Sequence, residues 1–245
     1  MTLSDEKLKF NITYTSMMAK LVRKIFYKMI GLHPLVDRFV RYRKPREYWQ
    51  KRGGDGYFQE QEAVHDRTLR SEFIAREIKK LMFKSILEIG CGYGKQLRNI
   101  YAEGLFVVGC DFSRPQLIKA EQVCEGLNIC FVEADAERLP FKDKTFDLVL
   151  SSAVILHNEY PKAKRIVSEM IRVSRKFLVH NEDTDVTFSR YGYDLCQTYQ
   201  VIKLNILKSV HIPDAPASEH TQFTIAEVPS GAYFVNPEDV PLQYH

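Results

Sequence analysis

The 245-residue chain has no run of about 18 uncharged apolar residues, because its longest candidate, Met17 to Val40, is interrupted by Lys20, Arg23, Lys24, Lys28, Asp37 and Arg38. A membrane-crossing helix is therefore not expected. Met1 to Asn11 is polar and no small-residue site follows an uncharged core, so a secretory leader is not expected either. Cysteine is scarce: five residues, at 91, 110, 124, 130 and 196, lie mostly inside apolar runs and form no CxxC pair. That pattern argues against a disulfide framework and a four-cysteine zinc site, and for reduced thiols in a cytoplasmic protein. Internal repeats and low-complexity tracts are missing as well. What remains, 45% hydrophobic and 27% charged residues, is the composition of a globular chain rather than a disordered or fibrous one.

The net charge of +4 conceals an asymmetry. Residues 1–52 hold thirteen Lys or Arg against four acids, +9, which leaves −5 for the remainder. Between Met17 and Leu32, the apolar Met18, Leu21, Val22, Ile25, Phe26, Met29 and Ile30 recur at helical spacing, with Lys20, Lys24 and Lys28 on another face. Such a helix can lie on an anionic membrane surface through residues 17–32, or pack as a lid on its own domain or on a second subunit.

From Ser85 onward, short apolar runs alternate with amphipathic stretches, the mark of βαβ units and a parallel sheet. The strands read as Ser85–Ile89, Phe106–Cys110, Ile129–Glu133, Phe146–Ser151 and Lys176–His180. Ser113 with Gln116 three residues on has capping-box spacing. A helix from about Tyr160 to Val173 turns Ala163, Ile166, Val167, Met170 and Ile171 inward and Lys162, Lys164, Arg165 and Glu169 outward. A helix from about Asp66 to Met82 precedes the sheet. A short helix near Tyr193–Val201 leads to Ile206–Ile212 and Gln222–Val228, a terminal antiparallel hairpin. The tail after Pro229 is expected to be loosely held.

The chemistry concentrates where the first strand runs into Glu88-Ile89-Gly90-Cys91-Gly92-Tyr93-Gly94. A chain leaving a buried strand for a helix must turn tightly, and a ligand lying on that backbone tolerates no Cβ. Asp111, 21 positions after Gly90 at the end of the second strand, can accept both hydrogen bonds of a ribose diol. After the third strand, Asp135 in Ala134-Asp135-Ala136 can address an adenine amino group while Phe112 covers the ring. Together these three positions describe an adenosine site.

With ILEIGCGYG (86–94), VVGCDFSRPQL (107–117), ADAERLPFKDKTFDLVLS (134–151) and AVILHN (153–158), the chain resembles the class I S-adenosylmethionine-dependent methyltransferases, in particular the small-molecule group with the ubiquinone and menaquinone methylases. The resemblance implies a three-layer αβα Rossmann-like fold, a seven-stranded, mostly parallel sheet with an antiparallel terminal hairpin, and an N-terminal helical cap. It divides the chain into a basic arm (1–64), the cofactor-binding domain (65–230) and a tail (231–245). It implies S-adenosyl-L-methionine as cofactor, with Glu88, Gly90, Cys91, Gly92 and Gly94 shaping the methionine end, Asp111 on the ribose, Phe112, Asp135 and Ala136 on adenine, and Ser151 as a further cofactor-binding candidate. Tyr57, with Arg52, is the candidate for covering the cofactor carboxylate. One departure is that the glycine-rich turn usual before strand five is replaced by Val173-Ser174-Arg175-Lys176.

Ligands in an open α/β sheet lie beyond the carboxyl ends of its strands, so the loops after the fourth and fifth strands face the transferred methyl. Each carries a histidine, His157 and His180, followed by Asn and Glu, and either can act as general base. Glu159, Glu182 and Asp183 supply hard ligands for a divalent ion, yet acids adjacent in sequence form a solvated loop more often, and no metal is expected. The expected acceptor is a small molecule, a glycan or a lipid-linked group. A protein or RNA methylase docking through the basic arm and a non-catalytic cofactor-binding regulator are the alternatives. DNA is not expected, because the Asx-Pro-Pro-aromatic motif of amino-group methylases is replaced after strand four by Ser151-Ser152-Ala153-Val154. Oligomeric state is left open.

Overall fold

The structure is a computed structural model and describes residues 45–186, 190–212, 220–230 and 235–242. Contacts divide the chain into residues 1–43 and 44–245. The amphipathic stretch 17–32 lies outside the described residues, and residues 45–64 belong to the second unit.

That unit opens with three helices, α1 (Pro45–Arg52), α2 (Asp55–Glu62) and α3 (His65–Ile78). There follow β1 (Ser85–Ile89), α4 (Lys95–Ile100), β2 (Phe106–Asp111), α5 (Arg114–Val123), β3 (Ile129–Glu133) and β4 (Phe146–Ser152). A 3-10 turn (Ile155–His157), α6 (Tyr160–Val173), β5 (Ser174–Asp183), α7 (Leu195–Val201), β6 (Asn205–His211) and β7 (Thr221–Glu227) complete the regular elements, with a last 3-10 turn at Pro237–Asp239. The sheet order is β3-β2-β1-β4-β5-β7-β6. The first five strands are parallel, and β7 runs antiparallel to both β5 and β6.

The mainly apolar sequences of β1 and β4 are explained by their place at the centre, buried on both faces. Leu87, Ile89, Val149 and Leu178 point to the layer made by α6 and α7, and Ile86, Val107, Leu148 and Leu150 to the layer made by α3, α4 and α5. Each such side chain contributes about 1.5–3 kcal/mol by leaving water.

The structure corrects several local expectations. β5 begins at Ser174, immediately after α6, with no turn between them; a register shift between Phe146 and Leu148 absorbs the junction, and Arg175 at the strand start pairs with Asp147 at 3.0 Å. α3 ends at Ile78 rather than Met82, which is 84% exposed. The capping box at Ser113 does not form: no side-chain cap bond is made, and its hydroxyl donates to the Trp49 carbonyl at 3.1 Å. Lys164 is buried, its Nζ donating to the Glu238 carbonyl at 2.6 Å while lying 5.3 Å from the Tyr160 ring centroid. Residues 235–242 are a packed strap, not a loose tail, because Val235, Val240 and Leu242 enter the core beside α6.

Candidate active site

β1 delivers Ile89 into a turn in which Gly90, Gly92 and Gly94 take φ of 60°, 53° and 80°, a region that costs a residue with a side chain roughly 1–2 kcal/mol. Their surroundings differ. A Cβ on Gly90 would stand 2.4 Å from Val154 Cγ2, and one on Gly94 2.9 Å from Cys124 Sγ, whereas around Gly92 nothing lies within 4 Å. Gly90 and Gly94 allow close packing; Gly92 presents bare backbone to open space. The buried Cys91 donates its N–H to the Cys110 carbonyl at 3.0 Å, and burial pushes its thiol far above the usual range, so it is packing rather than a nucleophile.

Asp111 closes the turn from the neighbouring strand. Its Oδ2 accepts the Gly92 N–H at 3.0 Å and its Oδ1 the Ser113 N–H at 2.8 Å. Two backbone bonds leave a carboxylate with acceptor capacity for a diol. Burial outweighs those bonds and raises its pKa to about 6. Glu88, 3% exposed, is held well above the usual carboxylate range by burial and by the Asp111 charge, and its Oε2 has no hydrogen-bond partner. A buried acceptor of this kind costs on the order of 1–3 kcal/mol unless a donor arrives.

Phe112 follows Asp111 with the Arg46 guanidinium 6.0 Å from its ring centroid. At the end of β3, Asp135 accepts the Glu137 N–H at 3.2 Å and stands 3.8 Å from Lys162 Nζ, while Ala136 packs on the core. The structure thus brings Glu88, the glycines and Asp111 into one turn and sets Phe112 and Asp135 at the ends of the two adjoining strands.

Over this edge α1 and α2 form an aromatic cover. Trp49 meets Tyr48, Tyr57 and His157 edge-on at 5.2, 5.7 and 5.6 Å, and Tyr93 of the glycine turn meets Phe58 at 5.1 Å. The Tyr93 hydroxyl donates to Glu62 at 2.9 Å, and Glu62 also takes Lys95 Nζ at 2.8 Å, so the cover is tied to the turn. Arg52 lies 5.3 Å from the Tyr57 ring centroid, but its guanidinium already holds Glu60 through two contacts of 2.8 and 2.9 Å. Burial raises the Tyr57 hydroxyl above its usual range. Glu62, Tyr93 and Lys95 were not legible as a group, since only the folded turn brings them together.

The two candidate histidines part company. His157 ends the 3-10 turn against Trp49. His180 is 1% exposed, its Nε2 hydrogen-bonded to the Tyr199 hydroxyl, and burial lowers its pKa to about 3. Because the unfolded chain takes up a proton on this imidazole first, the stability it contributes is complete above pH 6.5 and is lost as pH falls toward about 3. His180→Gln should therefore lose thermal stability less steeply than the native chain between pH of about 6.5 and 4. Parallel melting-temperature profiles for the two proteins would refute this.

Ser151 is fully buried, and its hydroxyl donates to Glu182 Oε1 at 2.5 Å. Glu182, Asp183 and Glu159 do not converge. Glu182 is engaged by Ser151 and loop amides, Asp183 by Arg190 and the Thr221 hydroxyl, and Glu159 by the Tyr191 hydroxyl at 3.4 Å. Among the described residues no group of three or more His, Cys, Asp or Glu could hold a metal ion, and no helix is long and apolar enough to cross a membrane.

A parallel sheet ending in a left-handed glycine turn, a ribose-competent acid on the next strand and an aromatic cover define an α/β domain built for a nucleoside cofactor. Residues 86–176 match the model of the methyltransferase domain family. With the seven-stranded sheet, that match identifies a class I S-adenosylmethionine-dependent methyltransferase domain. The chain is 39% identical over 95 residues to phosphatidylethanolamine N-methyltransferase of Cereibacter sphaeroides, covering 37% of this chain and 45% of that protein. It is 36% identical over 90 residues to demethylmenaquinone methyltransferase of Beutenbergia cavernae, covering 37% and 36%. The chain thus spans less than half the length of these curated relatives. Phosphoethanolamine N-methyltransferase 1 of Haemonchus contortus, solved with phosphoethanolamine and S-adenosylhomocysteine, shares the fold with TM-score 0.65 and 16% identity, over 83% of this chain and 52% of its own.

Proposed function

We propose that this chain transfers a methyl group from S-adenosyl-L-methionine to a small-molecule, glycan or lipid-linked acceptor by direct SN2 displacement. The observation that carries the reading is the pairing of Gly92, open on its ligand side, with the Asp111 carboxylate and the orphaned Oε2 of Glu88 on one edge of the sheet. The donor set fits the cofactor: a carboxylate for a ribose diol, bare backbone for the methionine end and a buried acceptor for an ammonium group.

When bound, the cofactor supplies an electrophilic methyl on a sulfonium. The chain's own task is alignment and exclusion of water, which the glycine turn and the cover of Trp49, Tyr57 and Tyr93 are placed to provide. His157, beside Trp49 in the loop after β4, is the candidate to receive a proton from an acceptor hydroxyl or ammonium. His180, neutral and tied to Tyr199, is the weaker candidate for that role. The lipid substrates named for two relatives favour a lipid-linked acceptor, as does the basic amphipathic stretch 17–32.

Calorimetric titration tests the reading: micromolar binding of S-adenosylmethionine and S-adenosylhomocysteine, and none of NADH, is expected. Failure to bind either sulfur cofactor would overturn it. The membrane component is checked by flotation with anionic liposomes, where removal of residues 1–40 should abolish flotation. Equal flotation of both forms would remove that component.

A further inference from the structure

The loop after β4 is an awkward piece of chain held in place from the next strand. Ala153 sits at φ 57°, where a residue with a Cβ is strained. Its N–H donates to the Asn181 carbonyl at 2.9 Å. The next donors converge on one side chain: Glu182 accepts the Val154 N–H at 3.1 Å on both oxygens, the Leu156 N–H at 3.2 Å and the Ser151 hydroxyl at 2.5 Å. The carboxylate is 1% exposed. Two things hang from this loop. Val154 forms the wall against which Gly90 can carry no Cβ, and His157, whose N–H donates to the Val154 carbonyl at 3.1 Å, is set beside Trp49.

We propose that Glu182 is the positioning residue that fixes residues 153–157, and through them His157, over the glycine-rich turn. It rests on the reading of this edge as the methyl-transfer site, but the contact it governs is measurable without cofactor or acceptor. Ionised, a carboxylate is the side chain for the task because it offers acceptors only and every group aimed at it is a donor; burial raises the Glu182 pKa to about 7, so this fully accepting form is the one that prevails above that value. Glutamine has the same shape but turns one acceptor into a donor facing backbone N–H groups. Aspartate is too short to reach the loop.

Trp49 is the single tryptophan of the chain, so its emission reports on its contact with His157. A protonated imidazole touching an indole quenches it, and a neutral one does so much less. Tyr48 and Tyr57 face Trp49 from α1 and α2 with Arg52 over both rings, Glu182 holds the loop and Asp111 lies at the adjoining turn, while His180 and Tyr199 stay neutral from about pH 5 to 8. The experiment is a pH titration of Trp49 emission in the full chain without ligand, with His157→Gln to assign the His157 step.

The native protein should show a quenching step on acidification that His157→Gln lacks. In Glu182→Gln the step should fall to less than about half its amplitude, with far-ultraviolet circular dichroism unchanged. Ser151→Ala, which removes one neutral donor, should reduce it less, and serves as the readout should Glu182→Gln fail to fold. A step of native amplitude in folded Glu182→Gln or, where that variant does not fold, in Ser151→Ala overturns the proposal, as does a native protein with no His157-dependent step. Parallel titration with S-adenosylhomocysteine separates the two readings. Lost quenching with retained binding supports positioning, and retained quenching without binding leaves the loop geometry intact while removing the cofactor site.

Discussion

Asp111→Ala should weaken S-adenosylhomocysteine binding by about 1–3 kcal/mol, or roughly 5- to 150-fold. Removing the carboxylate deletes the acceptor for the ribose hydroxyls and also frees the Gly92 and Ser113 N–H groups that it now holds. The same carboxylate gives the binding a pH dependence of defined sign. Its pKa is raised to about 6 by burial, and only the ionised form accepts two diol hydrogen bonds. Affinity should fall as pH drops through that value, by about tenfold between pH of roughly 7 and 5. In Asp111→Asn the binding should be weak and flat over this range. Isothermal titration at three pH values checks both statements. Binding within about twofold of native in Asp111→Ala would place the ribose elsewhere.

Gly90→Ala should be strongly destabilising for a single added methyl group. The left-handed φ costs about 1–2 kcal/mol and the collision with Val154 about 1–3 kcal/mol more. Val154 cannot step aside cheaply, because it is β-branched and its N–H is held by Glu182. A melting-temperature drop on the order of 5–15 °C is expected for a domain of this size. Gly92→Ala is the instructive contrast. It bears the same kind of strain, but its new methyl meets nothing within 4 Å, so the loss of stability should stay near 1–2 kcal/mol. Its effect should appear instead as cofactor binding weakened by more than about tenfold, since the methyl fills the space a ligand needs. Equal melting temperatures for the two variants would show that the Val154 wall yields.

The strands were readable because a parallel sheet covered on both sides writes itself as nearly continuous apolar runs, as in Leu148–Leu150 and, broken only by Glu88, in Ile86–Ile89. The placing of the glycine turn beside Asp111 was readable because it depends on backbone conformation and on spacing along the chain. What escaped depends on partners distant in sequence. Lys164 looked like a solvent-facing position of α6 until the segment around Glu238 supplied a carbonyl for it. Ser113 had the spacing of a cap, yet its hydroxyl donates to the Trp49 carbonyl of α1 and accepts from no helix N–H. The tail lacked periodicity, so Val240 and Leu242 gave no sign that they were anchors. Glu182 read as one acid of a cluster, and only the folded loop shows that its neighbours in space are donors. An acid three residues after the apolar run Phe177–Val179 of β5 was the available signal.

The strand order β5-β7-β6 has a consequence for how the molecule comes into being. β6 is made before β7, yet among the described residues its only sheet partner is β7, which lies between it and β5. During synthesis the free edge of β5 and the apolar side of β6 must wait together until Thr221–Glu227 has emerged and slid between them. The glycine turn and Asp111 belong to the first half of the sheet, and their strands can pair earlier. A nascent chain can therefore assemble the half of the sheet that carries the glycine turn while the β5 half is still an open edge, and that interval is when chaperones or aggregation would meet it.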